Sequence, residues 1–147
     1  MKKIIFSFSI LLIFNLCVFA QTNIKHKKSG LPDNIGKLNG ADSDRLLNNA
    51  VIKIRLKKLL GKKYYAAFLE SFETPTPIVK KGSFLFSSGC LIHACTHLES
   101  AIAVDLVNKT IHAAIYRQNE RTKYFNEKGR STPRALKNWA NRLSAVN

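Results

Sequence analysis

SFLFSSGCLIHACTHLESAIAVDLVNKTIHAAIY, residues 83–116, decides how this chain folds. Residues 83–87 read as a strand that runs into a short loop bracketed by Cys90 and Cys95. Residues 101–106 and 110–116 are apolar segments of strand length, and they read as a hairpin closed near Val107-Asn108-Lys109. The short spacing between these segments makes the sheet antiparallel, because parallel neighbours need a crossover of a dozen residues or more.

Upstream, the period changes to that of a helix. From Ser43, a residue type that caps helices, Leu47, Val51, Ile52, Leu56, Leu59 and Leu60 recur at steps of three and four, and Gly61 offers a stop. Residues 52–57 also alternate as a strand would, but the apolar pattern runs too long for a typical strand. A second helix is expected over residues 62–72, burying Tyr64, Ala67, Phe68 and Phe72, until Pro75 and Pro77 end helical character. Downstream, Tyr124-Phe125 reads as a short edge strand in a polar stretch, and Pro133 begins a helix with Leu136, Trp139, Leu143 and Ala145 on one face. Helices at the ends with strands between them predict an α+β fold, a central antiparallel β-sheet with helices packed against it.

The N-terminus sets the compartment. Met1-Lys2-Lys3, the apolar run over residues 4–14 and Val18-Phe19-Ala20 have the order of a secretory signal, so residues 1–20 are expected to be removed. The run is shorter than the roughly 20 apolar residues that span a bilayer, so no stable transmembrane segment is expected after cleavage. Residues 21–42, with Lys25-His26-Lys27-Lys28 and several turn formers, read as a flexible N-terminal arm, and residues 43–147 as a single α+β domain. A periplasmic or secreted location follows.

Export removes Cys17 and leaves Cys90 and Cys95, for which a disulfide is the default in an oxidising compartment. A ring this short adds little entropic stability, so shaping the loop is its better explanation. Cys90, His93, Cys95 and His97 together offer two thiolates and two imidazoles, which zinc would accept. Their spacing is tighter than the separated pairs of common zinc sites and the compartment favours the disulfide, so neither a metal nor another cofactor is expected. Bridged cysteines cannot act as nucleophiles, and no other enzyme signature is present. His97 reads as support for the loop or as an exposed residue, His112 as structural or solvent-facing, and Trp139 as a core anchor.

With 24 Lys and Arg against 9 Asp and Glu, the formal charge is +15, and loss of Lys2 and Lys3 lowers it by 2 to +13. Most of these cations, including Lys53, Arg55, Lys57 and Lys58, read as a solvated helix face. The charge also supports a second reading, a basic envelope protein that contacts lipopolysaccharide, nucleic acid or an acidic membrane surface. No nucleic-acid fold signature accompanies it.

Cys90-x-x-His93-x-Cys95, preceded by Gly89 and followed by Ser100-Ala101-Ile102-Ala103-Val104-Asp105-Leu106, resembles the Ivy family of secreted bacterial lysozyme inhibitors. The resemblance extends to the signal peptide, the helix before the sheet and the strand into the loop. It implies an α+β fold, frequent homodimers, and a disulfide-closed inhibitory loop that enters the lysozyme cleft, here Cys90, Leu91, Ile92, His93, Ala94 and Cys95. The family loop is commonly Cys-Lys-Pro-His-Asp-Cys, so Leu91, Ile92 and Ala94 depart from it and make a greasier, less preorganised loop. The chemistry stands without the family: a retaining glycosidase holds two carboxyl groups about 5 to 5.5 Å apart, and an imidazole between them could hydrogen-bond both. Lysozymes of the animal type are commonly basic, so an acidic target would suit this chain better.

Overall fold

The computed structural model describes residues 30–146. The expected leader, residues 1–20, and the basic start of the arm, Lys25-His26-Lys27-Lys28, lie outside the described residues. The elements are α1 (Ser43–Leu47), α2 (Ala50–Glu70), β1 (Thr74–Pro75), β2 (Val79–Lys81), β3 (Phe84–Cys90), β4 (Leu98–Asp105), β5 (Thr110–Arg117), β6 (Lys123–Asn126) and α3 (Arg134–Val146), with 3-10 turns at Asp33–Leu38 and Glu127–Gly129. All six strands form one antiparallel sheet in the order β1-β3-β4-β5-β6, with β2 pairing the other half of β3. The fold is α+β. Among the described residues no helix is long and apolar enough to cross a membrane.

Both faces of the sheet are covered, because side chains alternate across a strand and here both alternating sets are apolar. Leu85, Ile102, Val104, Ile111, Ala113 and Ile115 face α1 and α2, where Leu46, Ile52, Leu56 and Phe68 complete the larger core. On the opposite face, Phe86, Ala101, Ala103, Ala114 and Tyr116 receive Leu136, Trp139 and Ala140 of α3. Three alanines in the central strands give the indole of Trp139 room to lie against the sheet, which makes it the core anchor the pattern predicts.

The helical run divides in two places. Asn49 caps α2 by accepting from Val51 N at 3.1 Å and Ile52 N at 3.3 Å, so the helix begins there and α1 remains a separate single turn. Gly61, at φ 67°, interrupts α2 at the expected stop, and the chain resumes as a helix toward Phe72. At its end, Ser71 donates to Ala67 O at 2.9 Å and meets the Ser100 hydroxyl of β4, tying the helix terminus to the sheet.

Two expectations need correction. Residues 30–42 are folded rather than part of a flexible arm: the 3-10 turn carries Ile35 into the core beside Leu31. Gly40 N donates to Ile78 O at 2.7 Å, and Ile78 N to Ala41 O at 2.8 Å. The turn formers that suggested mobility build this turn. Arg55 is also not on a solvated face. Its guanidinium forms a fork with the Glu127 carboxylate, 2.9 Å from Nε to Oε1, and Nη2 donates to Lys109 O at 2.8 Å. Glu127 also accepts from Ile111 N at 2.8 Å, so one pair joins α2, β5 and the turn after β6.

His112 is buried and structural, between Thr110 Oγ1 at 3.1 Å and Asn126 Oδ1 at 2.9 Å. At the β4–β5 turn, Asp105 accepts from Val107 N at 2.9 Å, Asn108 N at 2.9 Å and Asn108 Nδ2 at 2.7 Å. Burial pushes its pKa up, but these hydrogen bonds, with His112 nearby, outweigh burial and hold the carboxyl below the usual range.

Replacing Arg55 by Leu should lower unfolding stability by about 2 kcal/mol in urea titrations, since it strands a largely buried carboxylate. Asp105→Asn should cost about 1–2 kcal/mol at pH 7. Because a depressed carboxyl contributes stability above the unfolded value of about 3.9 and loses it as pH falls through the folded value, wild type and variant should converge in acid. Gly89→Ala should destabilise by about 1–3 kcal/mol, because a Cβ there would stand 2.9 Å from Phe72 Cα.

Candidate functional site

The residues at 90–97 occupy one end of the sheet, where β3 stops and β4 begins. Cys90 pairs in register with Glu99, and Leu91 N still donates to Leu98 O at 3.2 Å, so the two strands hold the base of the loop on both sides. Gly89, one residue before the loop, lies directly under Phe72, and its lack of a side chain is what allows the end of α2 to reach the loop's root. Cys90 and Cys95 are joined by a disulfide with their Cα atoms 4.9 Å apart. The bridge takes up both thiolates that a zinc reading requires, and among the described residues no group of three or more His, Cys, Asp or Glu could hold a metal ion.

Inside the bridge the chain makes a tight turn. Ala94 N donates to Leu91 O at 3.0 Å, which leaves Ile92 and His93 at the tip. His93 has φ 61°, the left-handed region that histidine tolerates better than most side chains. Thr96, at φ 74°, is β-branched and therefore strained there. Its N–H donates to Glu99 Oε1 at 2.9 Å, and the Ala94 carbonyl accepts from both His97 N at 3.0 Å and Leu98 N at 3.1 Å. On the other side, Ile92 N donates to Glu73 Oε2 at 3.3 Å.

The three positions that depart from the family loop divide by environment. Leu91 turns inward and packs on the larger core, Ala94 is half-buried, and Ile92 is 53% exposed beside the exposed His93. The loop is greasier at its tip, as expected, but it is not loose. Leu91 anchors it from below, and Glu73 and Glu99 hold its backbone from the sides. His97 is exposed, and it seats the loop through its backbone, donating to Ala94 O and accepting from Gln118 N at 2.8 Å.

Glu73, Glu99 and Gln118 are the supports that sequence reasoning missed. Glu99 stands three residues after Thr96, a spacing at which a carboxylate reaches back to a backbone N–H, so a local signal existed. Glu73 reaches Ile92 across 19 positions, and no local pattern announces it. Chemically, the tip offers an imidazole next to an apolar side chain on a clamped backbone, an arrangement suited to filling a polar groove.

No curated protein and no solved structure matches the chain. Residues 51–145 match the family model described as inhibitor of vertebrate lysozyme (Ivy), a span that runs from α2 through the loop and the sheet into α3. With most of its length in that match, the chain belongs to the Ivy family of lysozyme inhibitors.

Proposed function

We propose that this protein blocks a muramidase by inserting the Cys90–Cys95 loop into the catalytic groove, where His93 hydrogen-bonds the two catalytic carboxyl groups. The observation that carries the reading is the tip geometry: an exposed imidazole at φ 61° inside a disulfide ring. Glu73 holds the ring's backbone at Ile92, and Glu99 holds the chain at Thr96, just where it leaves the ring. Preorganisation of this kind lowers the ordering cost of binding. Ile92, at the position where the family loop commonly has proline, supplies apolar contact to the groove wall, while the charged positions are taken by Leu91 and Ala94. Family membership supports a lysozyme-inhibitor type of activity, and with it action in the periplasm or outside the cell.

A protonated imidazole donates from both ring nitrogens, so the bound form should be the cation. Binding then takes up a proton, and affinity should fall as pH is raised from 5 to 8. Affinity that stays constant from pH 5 to 8 contradicts this mechanism.

The test is slowing of cell-wall lysis by a panel of muramidases. The oxidised protein should inhibit at least one of them. His93→Ala should raise the inhibition constant by about 30-fold or more, as expected when one partner of a desolvated charged hydrogen bond is removed. A Cys90→Ser, Cys95→Ser variant should also inhibit poorly while losing only about 2 kcal/mol of folding stability. Undiminished inhibition by His93→Ala would rule out the imidazole as the plug.

A further inference from the structure

Beside the loop, on the same end of the sheet, a cleft of about 190 Å³ opens between α2 and the turn joining β5 to β6. Tyr64, Ala67 and Ile115 line it together with four cations, Lys63, Arg117, Arg121 and Lys123, and a single carboxylate, Glu120. Glu120 is shared, 3.6 Å from Arg117 Nε and 3.1 Å from Lys123 Nζ. Among the described residues, neither Lys63 nor Arg121 forms an ion pair, and both side chains are exposed. Lys63 Nζ lies 5.8 Å from the Tyr64 ring centroid, which keeps its charge at the mouth of the cleft.

The cleft and the loop are mechanically continuous. Leu98 pairs with Arg117 across β4 and β5, and the next residue, Gln118, donates to the carbonyl of His97 at 2.8 Å. A body that covers both the His93 tip and this neighbouring strand end would meet the cationic cleft as well. Glu120 is the one carboxylate in the cleft's lining against four cations, so the cleft itself is net positive, while Glu73 and Glu99 stand at the loop, where they accept backbone N–H groups and keep their charge. Low-dielectric walls around like charges focus the cleft's field outward.

We infer that this cleft receives an acidic segment of the muramidase whose groove the loop enters, so that the protein selects targets carrying carboxylates beside their catalytic groove and disfavours basic ones. The inference rests on the loop reading given above. It assigns selection to the cleft and groove blocking to His93. Complementary charge at such a rim acts chiefly on the association rate and fades with salt, because the Debye length is about 10 Å at 0.1 M.

The experiment compares an acidic and a basic muramidase, each binding to the oxidised full chain at 20 and 200 mM salt, with a Lys63→Glu, Arg121→Glu variant, His93→Ala and a heparin column as a polyanion probe. Circular dichroism and the thermal midpoint verify folding of the variants. The acidic enzyme should associate at least tenfold faster than the basic one at low salt, and charge reversal should erase that advantage while leaving groove blocking in place at high salt. Equal association rates for wild type and charge-reversed protein, with His93→Ala still impaired, overturn the inference and leave the loop reading standing. Lost heparin retention with unchanged muramidase binding overturns it in favour of a free polyanion. Undiminished binding by His93→Ala overturns the loop reading and removes the placement of the acidic segment beside the groove.

Discussion

The structure depends on the antiparallel register of β3 and β4, which sets Cys90 opposite Glu99 and obliges the chain to turn within the seven residues between Cys90 and Leu98. A slip of one residue would invert every side chain in β3, sending Leu85 out of the larger core and Phe86 out of the smaller one. The two-sided core therefore determines where the loop starts. The disulfide then closes a turn whose ends are already held at the right separation. Its effect is on the shape of the tip, since the ladder has fixed the position.

Packing around that end follows from small residues at close approaches. Gly89 admits Phe72, and the hydroxyls of Ser71 and Ser100 meet where α2 ends on β4. A second serine pair, Ser43 and Ser87 with oxygens 2.6 Å apart, ties α1 to β3, and Ser87 also donates to Thr76 O at 2.9 Å. These buried hydroxyls have partners, which is the condition under which burying them costs little. At the far end of the sheet, the Arg55–Glu127 fork and the Asp105 turn serve the same purpose with charge. The loop thus projects from a platform fixed at both ends.

The strands were legible because β3, β4 and β5 have strand-length apolar runs separated by recognisable turns, and Pro133 and Gly61 punctuate the chain where the structure bends or starts a helix. The break at Asn49 escaped because Leu47 and Val51 keep a helical spacing across it, and only the side-chain capping bonds reveal the restart. Leu31 and Ile35 were hidden among turn formers, because Leu31 precedes the 3-10 turn that carries Ile35 and the two form no helical period. Arg55 was misplaced because helix periodicity puts a cation in solvent unless a distant carboxylate is known, and Glu127 lies 72 positions away. At the loop, Cys90, His93 and Cys95 stood out as residue types, whereas the supports Glu73 and Gln118 act through long-range backbone contacts that leave no mark in a pattern.

The central claim is that His93 meets the catalytic carboxylates of the enzyme it blocks, and a double-mutant cycle measures that contact directly. His93→Ala would be combined with a Glu→Gln change at the catalytic acid of an inhibited muramidase, and binding free energies compared across the four pairs. A coupling energy of about 1.5 kcal/mol or more is the predicted result. Additivity within about 0.5 kcal/mol would show that the two groups do not touch and would contradict the account.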